Sequence, residues 1–155
     1  MKGNQKVVDT LSKLLAGELT AVDQYFIHSR MYEDWGLNKL YERLDHEREE
    51  ETDHADQMIR RILFLEGTPN LGVREPLNVG ADVVSMLKSD LEVEYSVIQN
   101  LKDAIALCEQ ERDYETREML LGQLKDSEED HAYWLEKQLG LIDKIGLPNY
   151  LQSMM

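Results

Sequence analysis

Apolar residues recur at alternating spacings of three and four along most of this 155-residue chain, the spacing of one face of an α-helix. Such a row of side chains on one helix face is called a stripe here, and the first stripe contains Leu11, Leu15, Glu18, Val22 and Tyr25. Three similar stripes follow, so the pattern predicts helices over about residues 5–34, 39–65, 82–111 and 115–139. The tail after Gly140 predicts one short helix over about residues 145–152.

The longest interruption of the helical pattern is the segment GTPNLGVREPLNVG, residues 67–80, which holds two of the three prolines. Short links join the first helix to the second and the third to the fourth, so each pair is predicted to be antiparallel. A link as long as 67–80 can run along a bundle before the third helix begins. The pattern therefore predicts an all-α four-helix bundle with one long crossover connection, in one domain over residues 1–155.

Charge and composition narrow the classes of function. The chain carries a formal net charge of −14, which argues against nucleic-acid binding because that needs a basic surface. No apolar run is long enough for a membrane helix, so no membrane partner is expected. The single cysteine, Cys108, cannot form a disulfide within the chain. An inert buried thiol and a reducing, cytoplasmic location are therefore expected.

Each of the four stripes is interrupted near its middle by residues that bind metals. The first and third helices contribute Glu18 and Glu94. The second and fourth each contribute a Glu-x-x-His motif, and the six candidate ligands are Glu18, Glu51, His54, Glu94, Glu128 and His131. Residues three apart lie on one face of an α-helix, so each motif can direct both side chains at one centre.

The spacing of these residues repeats within the chain. Glu18 and Glu51 are 33 residues apart, and Glu94 and Glu128 are 34 apart. One glutamate on a stripe could be a solvated charge, and one Glu-x-x-His motif is weak evidence for a metal. Four carboxylates buried together would cost several kcal/mol each unless a cation neutralises them. The set as a whole therefore predicts a metal site.

The number of ligands suits two ions. Carboxylate and imidazole ligands favour iron or manganese, with zinc as a competitor, and the pattern matches that of di-iron carboxylate bundles. We expect Glu51 and Glu128 to bridge the ions, Glu18 and His54 to bind one, and Glu94 and His131 to bind the other. Two Fe(II) ions side by side can give electrons to dioxygen or peroxide, so the hypothesis is an Fe(II) oxidase.

Four segments carry a resemblance to the bacterioferritins that extends over nearly the whole chain. They are GELTAVDQYFIHSRMYEDWGL (17–37), HADQMIRRILFLEGTPNL (54–71), EEDHAYWLE (128–136) and GLPNYLQ (146–152). The six candidate ligands match the ferroxidase centre of that family. The resemblance implies a ferritin-like bundle, a hollow shell of 24 subunits, oxidation of Fe(II) and storage of a ferric mineral inside the shell.

Three further positions are interpreted through the same resemblance. His46 and Glu50 match an inner-surface iron site in which the second residue of the family is usually Asp, and a solvated polar face explains them equally well. Tyr25 lies on the Glu18 stripe, where it could hydrogen-bond a ligand, donate an electron or simply pack. His28 lies off that stripe and is expected at a surface or an interface.

The main departure from the family is Thr52. Haem-binding bacterioferritins resemble this chain but carry a methionine at that position, and two such methionines ligate one haem between subunits. A threonine hydroxyl is not a ligand for that haem, and Arg48 adds charge near the same face. Met31, Met58 and Met86 are expected to pack in the core or at interfaces.

Alternatives follow from this departure. The shell is either homomeric and without haem b, or mixed with a methionine-bearing sibling subunit. The resemblance implies a small ferredoxin (2Fe-2S) as the reductant that releases iron, and the loss of the haem ligand puts that partner in question. A rubrerythrin-like di-iron oxidase or peroxidase would share the six ligands, although the chain has no CxxC pair. A non-catalytic shell subunit and a plain helical interaction protein are the remaining alternatives.

Overall fold

Four helical rods form a bundle in the computed structural model, which describes residues 1–155. The first three rods are α1 (Gln5–Asp34), α2 (Asn38–Phe64) and α3 (Val83–Gln110). The fourth consists of α4 (Tyr114–Lys125), a π-helical segment (Asp126–Ala132) and α5 (Tyr133–Ile145), and the short α6 (Leu147–Ser153) follows. The predicted all-α bundle with one crossover and a short last helix is confirmed. None of its helices is both long and apolar enough to cross a bilayer.

The fourth rod differs from its predicted range of 115–139. It continues to Ile145 because Leu139 and Ile142, on either side of Gly140, continue the apolar stripe and pack on the core. It ends where Gly146 adopts a φ of 82°, a left-handed conformation that glycine tolerates. The π-helical segment in its middle was not predicted, because a spacing of three and four describes an α-helix only.

Polar side chains cap the starts of α1, α3 and α4. The Asn4 Oδ1 atom accepts hydrogen bonds from the backbone N–H groups of Lys6 and Val7, at 2.8 and 3.3 Å. Asp82 and Ser85 form a capping box at the start of α3. The Asp113 side chain accepts from the Thr116 N–H group at the start of α4. These bonds satisfy N–H groups that have no partner within the helix.

The crossover connection is held against α1 by a ladder of buried polar side chains. Its backbone N–H groups at residues 75, 78 and 80 donate to Thr20 Oγ1 at 2.7 Å, Gln24 Oε1 at 3.2 Å and His28 Nε2 at 3.1 Å. The acceptors are four residues apart, so they form one row along α1. The crossover thus runs along α1 from Thr20 to His28, and α3 begins at the end of the bundle where α1 finishes.

His28 is fully buried, so the expectation of a surface or interface position was wrong. The crossover covers the face of α1 that the apolar stripe alone would leave open. His28 Nδ1 lies 2.8 Å from Oδ1 of Asp90, which is also fully buried. Because His28 Nε2 accepts a hydrogen bond from the Gly80 N–H group, the ring proton is on Nδ1, facing Asp90.

The core consists of two apolar clusters, one towards each end of the bundle. The first contains Leu15, Met58, Leu101, Cys108 and Leu120, with others, and the second contains Tyr25, Leu44, Met86, Leu87 and Leu135, with others. Met58 and Met86 are fully buried there and Met31 packs against the second cluster, as expected. Burial raises the pKa of the Cys108 thiol to about 11, which makes it unreactive, also as expected.

Candidate metal centre

Five ionisable side chains meet between the two apolar clusters. Glu18 comes from α1, Glu51 and His54 from α2, Glu94 from α3 and His131 from the π-helical segment. None of them is more than 3% exposed. They form two groups of three whose ligand atoms lie within 4.8 Å of one another, Glu18 with Glu51 and His54, and Glu51 with Glu94 and His131. Glu51 belongs to both groups, so its two oxygens could each contact an ion held by one group.

The two imidazoles face the shared carboxylate from opposite helices. His54 Nδ1 lies 3.4 Å from Glu51 Oε2 and 3.9 Å from Glu18 Oε2. His131 Nδ1 lies 2.9 Å from Glu51 Oε1 and 3.3 Å from Glu94 Oε1. The rings are stacked with their centroids 6.2 Å apart and their planes inclined by 21°. Both rings thus direct the same nitrogen, Nδ1, into the cluster.

Six buried atoms of this cluster make no hydrogen bond. They are Glu18 Oε2, both carboxylate oxygens of Glu51, Glu94 Oε2 and the Nδ1 atoms of His54 and His131. Buried polar atoms almost always have a partner, so an unsatisfied group of this size needs an explanation. Carboxylate oxygens and imidazole nitrogens directed at common points are ligands for divalent transition metals. The residues therefore fit a pair of metal ions.

The protonation equilibria of the cluster also favour added positive charge. Burial raises the pKa of Glu18 well above its usual range, and the charges of Glu51 and Glu94 raise it further. Burial, followed by the charge of Glu51, raises the pKa of Glu94 to about 7. Burial disfavours the charged form of His131, but Glu47 and its other carboxylate neighbours outweigh that effect and raise its pKa. A metal cation would take the place of these protons.

Glu128 is not brought to the cluster. Its side chain is 42% exposed, and its Oε1 atom lies 3.9 Å from Nζ of Lys102. The expectation that it would lie beside His131 assumed an α-helix, but residues 126–132 are π-helical. A π-helix bonds residue i to i+5 and has more residues per turn, so three residues rotate through a smaller angle. Ser127 occupies the inward position instead and is fully buried.

Three carboxylates contact the outer nitrogens of the two imidazoles, and two of them, Glu47 and Asp126, were not predicted as site residues. His131 Nε2 lies 2.5 Å from both Glu47 Oε2 and Glu50 Oε2. His54 Nε2 lies 2.9 Å from Asp126 Oδ2. Such partners hold a ligating imidazole in orientation and fix its tautomer. Glu47 could have been found in the sequence because it continues the stripe of Leu44, whereas Asp126 gave no signal.

The predicted inner-surface pair lies beside the cluster. His46 Nε2 is 2.6 Å from Glu50 Oε1, and these side chains are 58% and 28% exposed. Through its other oxygen Glu50 also contacts His131. The pair offers one imidazole and one carboxylate, so a separate iron site at His46 and Glu50 stays a prediction.

Tyr25 is buried, and its hydroxyl donates a hydrogen bond to Glu94 Oε1. Burial raises the pKa of this phenol well above its usual range, and the negative charge of Glu94 raises it further. The phenol therefore keeps its proton and orients the Glu94 carboxylate. Of the roles that the sequence left open for Tyr25, the structure contains both the hydrogen bond to Glu94 and the packing in the second apolar cluster, and electron donation stays a prediction.

Thr52 faces away from the cluster. Its side chain is exposed, and its hydroxyl donates to the carbonyl oxygen of Arg48 at 2.8 Å. Arg48 in turn lies beside Asp45 and over the ring of Phe26. The Thr52 hydroxyl is thus bonded within its own helix, and the neighbouring surface carries an arginine.

Comparison with known proteins gives consistent matches along the chain. A model of the ferritin family, described as a ferritin-like domain, matches residues 8–145. A protein of Synechocystis sp. named bacterial ferritin is 64% identical over 155 residues, covering 100% of this chain and 99% of that protein. A bacterial ferritin of Neisseria meningitidis serogroup B is 60% identical, with 100% of both chains covered. A bacterioferritin of Brucella melitensis is 41% identical, covering 98% of this chain and 94% of that protein.

Proposed function

The chain belongs to the ferritin family, and from that membership we propose that it stores iron by oxidising Fe(II) at a di-iron centre within each chain. The observation that supports this most directly is the pair of ligand groups that share Glu51. We further propose that 24 copies form a hollow shell and that the ferric product is kept inside it. Membership of the family and the match to relatives over 99% and 100% of their length support this proposal.

Each residue has a role in this proposal. Glu18 and the Nδ1 atom of His54 bind one Fe(II), Glu94 and the Nδ1 atom of His131 bind the other, and Glu51 binds both. The Nε2–H groups donate outward, from His54 to Asp126 and from His131 to Glu50, and the Glu47 carboxylate lies 2.5 Å from the same His131 nitrogen. Each iron loses one electron, so the two together reduce one dioxygen, with two protons, to hydrogen peroxide, or one peroxide to water.

Electrostatics support iron as the substrate. The net charge of −14 favours the approach of cations over anions. At the cluster the raised pKa values of Glu18 and Glu94 show that negative charge is costly there without a cation. Burial between two apolar clusters keeps the bound ions from bulk water, where Fe(II) would be oxidised without control.

For haem, we propose that this chain alone supplies no axial ligand, because the Thr52 hydroxyl is bonded to its own helix. Haem b and a ferredoxin that reduces it would then require a mixed shell with a methionine-bearing sibling. Visible absorption of the chain expressed alone with ample haem tests this proposal, and we expect no Soret band. A strong Soret band would contradict it.

An anaerobic titration with Fe(II), followed by admission of oxygen, tests the oxidase. We expect a fast oxidation phase that saturates at two irons per chain. Glu51→Gln should remove that phase, because the amide keeps the shape but loses the shared charge. Glu49→Gln is the matched control, since Glu49 is on the same helix with its side chain 63% exposed. The proposal fails if the unaltered chain has no fast phase, or if Glu51→Gln keeps it.

A further inference from the structure

Arg43 of α2 lies at the outer edge of the metal centre and contacts the fourth rod. Its Nε–H group donates to Glu47 Oε1 at 2.6 Å, and its Nη2 group donates to Asp130 Oδ1 at 2.7 Å. The carbon of its guanidinium group lies 4.7 Å from the centre of the Trp134 ring. One arginine therefore joins α2 to two residues of the fourth rod.

The two contacts of Arg43 with the fourth rod lie on either side of His131. Asp130 directly precedes His131, and Trp134 follows it by three residues. Asp130 and His131 belong to the π-helical segment, and Trp134 belongs to α5. A π turn departs from the regular spacing of an α-helix, so its register alone does not set the direction of a side chain. The contacts of Arg43 hold this irregular stretch at a fixed place on α2.

Glu47 connects Arg43 to the imidazole itself. Its Oε1 atom accepts from Arg43, and its Oε2 atom lies 2.5 Å from His131 Nε2. The Glu47 side chain is 4% exposed and the Arg43 side chain 24%. A buried carboxylate is costly without a positive partner, and the planar guanidinium can bond two carboxylates at once. Arg43 therefore holds the carboxylate that faces the ring.

Arg43 also explains a second acidic group beside the metal centre. Ligand atoms of Glu47, Glu50, Asp130 and His131 lie within 4.8 Å of one another. Three carboxylates this close repel one another unless positive charge lies among them. The guanidinium contacts two of the three and supplies that charge. No further metal ion is needed to hold this group together.

The other imidazole has no such support. His54 Nε2 contacts Asp126, whose side chain is 54% exposed. Asp126 forms no ion pair with a lysine or an arginine. Arg43 thus acts on one half of the proposed metal centre, the half that contains His131.

We infer that Arg43 is a positioning residue that acts through His131. Its guanidinium holds Glu47 against the outer nitrogen of the ring and holds the fourth rod on both sides of His131. The Nδ1 atom of the ring is thereby kept beside Glu94, at the second metal position. Arg43 itself contacts none of the proposed ligands, so its effect is transmitted by the ring. This inference rests on the proposed metal centre.

Arg43→Gln tests the inference, with Co(II) as a probe that binds like Fe(II) but does not react with oxygen. In a His54→Ala background the remaining ion is the one at His131. Arg43→Gln should weaken that ion roughly tenfold, at the lower end of the range for groups that orient a metal ligand. In a His131→Ala background the remaining ion is the one at His54. There Arg43→Gln should change the affinity by no more than about twofold, as expected for independent sites.

Arg60→Gln is the matched control. Arg60 also pairs with a carboxylate four residues away on α2, Asp56, but its side chain is 77% exposed. Neither ion should be affected by this substitution. Asp130→Asn keeps the inference testable even if Arg43→Gln does not fold, because it removes only one contact of Arg43 and should also weaken the ion at His131. Glu129→Gln, at the exposed neighbouring position, should not.

Two further measurements distinguish positioning from a general effect on stability. The visible absorption band of the Co(II) ion at His131 should shift in Arg43→Gln, because the ring is no longer held in one orientation. Arg43→Lys should restore the affinity only in part, since an ammonium group is a point charge and lacks the planar fork that bonds two carboxylates.

The outcomes separate this inference from the proposed function. A weakened ion at His131 with an unchanged ion at His54 supports the inference. Equal affinities in the unaltered chain and Arg43→Gln, or full recovery in Arg43→Lys, overturn it and leave the metal centre intact. Equal weakening of both ions also overturns it, since a general loss of structure would then explain the effect. An unaltered chain that binds no pair of Co(II) ions overturns the proposed function as well.

Discussion

The two halves of the proposed metal centre hold the same types of side chain on different backbones. Glu18 meets Glu51 and His54 from two regular α-helices, whereas Glu94 meets His131 from α3 and the π-helical segment. In the first half the glutamate precedes its histidine by three residues, and in the second a buried serine precedes it by four. Glu51 serves both halves, so the cluster is held together by a residue from the regular side.

The two imidazoles also differ in the carboxylates that contact their outer nitrogens. His131 Nε2 contacts two carboxylates, one of them on the buried Glu47. His54 Nε2 contacts only Asp126, whose side chain is 54% exposed. The half with the irregular backbone is thus the half with the stronger outer support. Side-chain contacts fix the orientation of His131 where helix register alone does not.

The largest expected effect comes from removing the imidazole of one half. His54→Ala should weaken one bound Co(II) by more than about a hundredfold, since even an outer partner of a ligand is worth roughly ten- to a hundredfold. His131→Ala should do the same to the other ion. Calorimetric titration should then give one ion per chain for each variant. Glu49→Gln, on the exposed face of α2, should still bind two. If either variant loses both ions together, the halves are not separate sites.

The second largest expected effect is on the free energy of unfolding and on its dependence on pH. The folded chain holds a proton on Glu94 up to a pKa of about 7, whereas the unfolded chain releases it near 4.5. The free energy of unfolding of metal-free protein should therefore fall as pH rises from 4.5 to 7, by about 3 kcal/mol from this residue. The raised pKa of His131 acts in the same direction above pH 6.5. Urea denaturation at pH 5, 6 and 7 measures this slope.

Glu94→Gln should reduce the fall of the unfolding free energy between pH 5 and pH 7. Glu92→Gln, at an exposed position of the same helix, should leave that fall unchanged. Saturating Co(II) should reverse the slope, because a metal binds the deprotonated carboxylates. Equal slopes for the unaltered chain and Glu94→Gln would show that Glu94 does not hold the proton in question.

The smallest of these effects comes from the outer carboxylates. Glu47→Gln should weaken the ion at His131 by roughly ten- to a hundredfold, because the imidazole loses a buried charged partner. Asp126→Asn should weaken the ion at His54 by less, since Asp126 is half exposed. Asp53→Asn, at an exposed position of α2, is the control. Equal losses of affinity at the two ions would show that the outer carboxylates support the two imidazoles equally.

Much of the fold could be predicted from the sequence because it follows from periodicity. The apolar stripes predicted the four rods, and the length of the segment 67–80 predicted the crossover. His28 was misplaced because its burial depends on the crossover, which lies over α1 through contacts between residues about 50 apart. Such contacts leave no periodic signal.

The site was predictable to the extent that its backbone is regular. Glu18, Glu51, His54 and Glu94 lie on α-helices, where spacing determines the face, and the structure brings them together. Glu128 shows the limit, because a π turn changes the face without changing the motif.

The most direct test of the central claim is an anomalous difference map from crystals of the chain loaded anaerobically with Fe(II). The account predicts two iron peaks per chain, a few ångströms apart, with Glu51 between them, one beside His54 and the other beside His131. A single peak, or iron found only at exposed carboxylates, would contradict the claim that these residues form one di-iron centre.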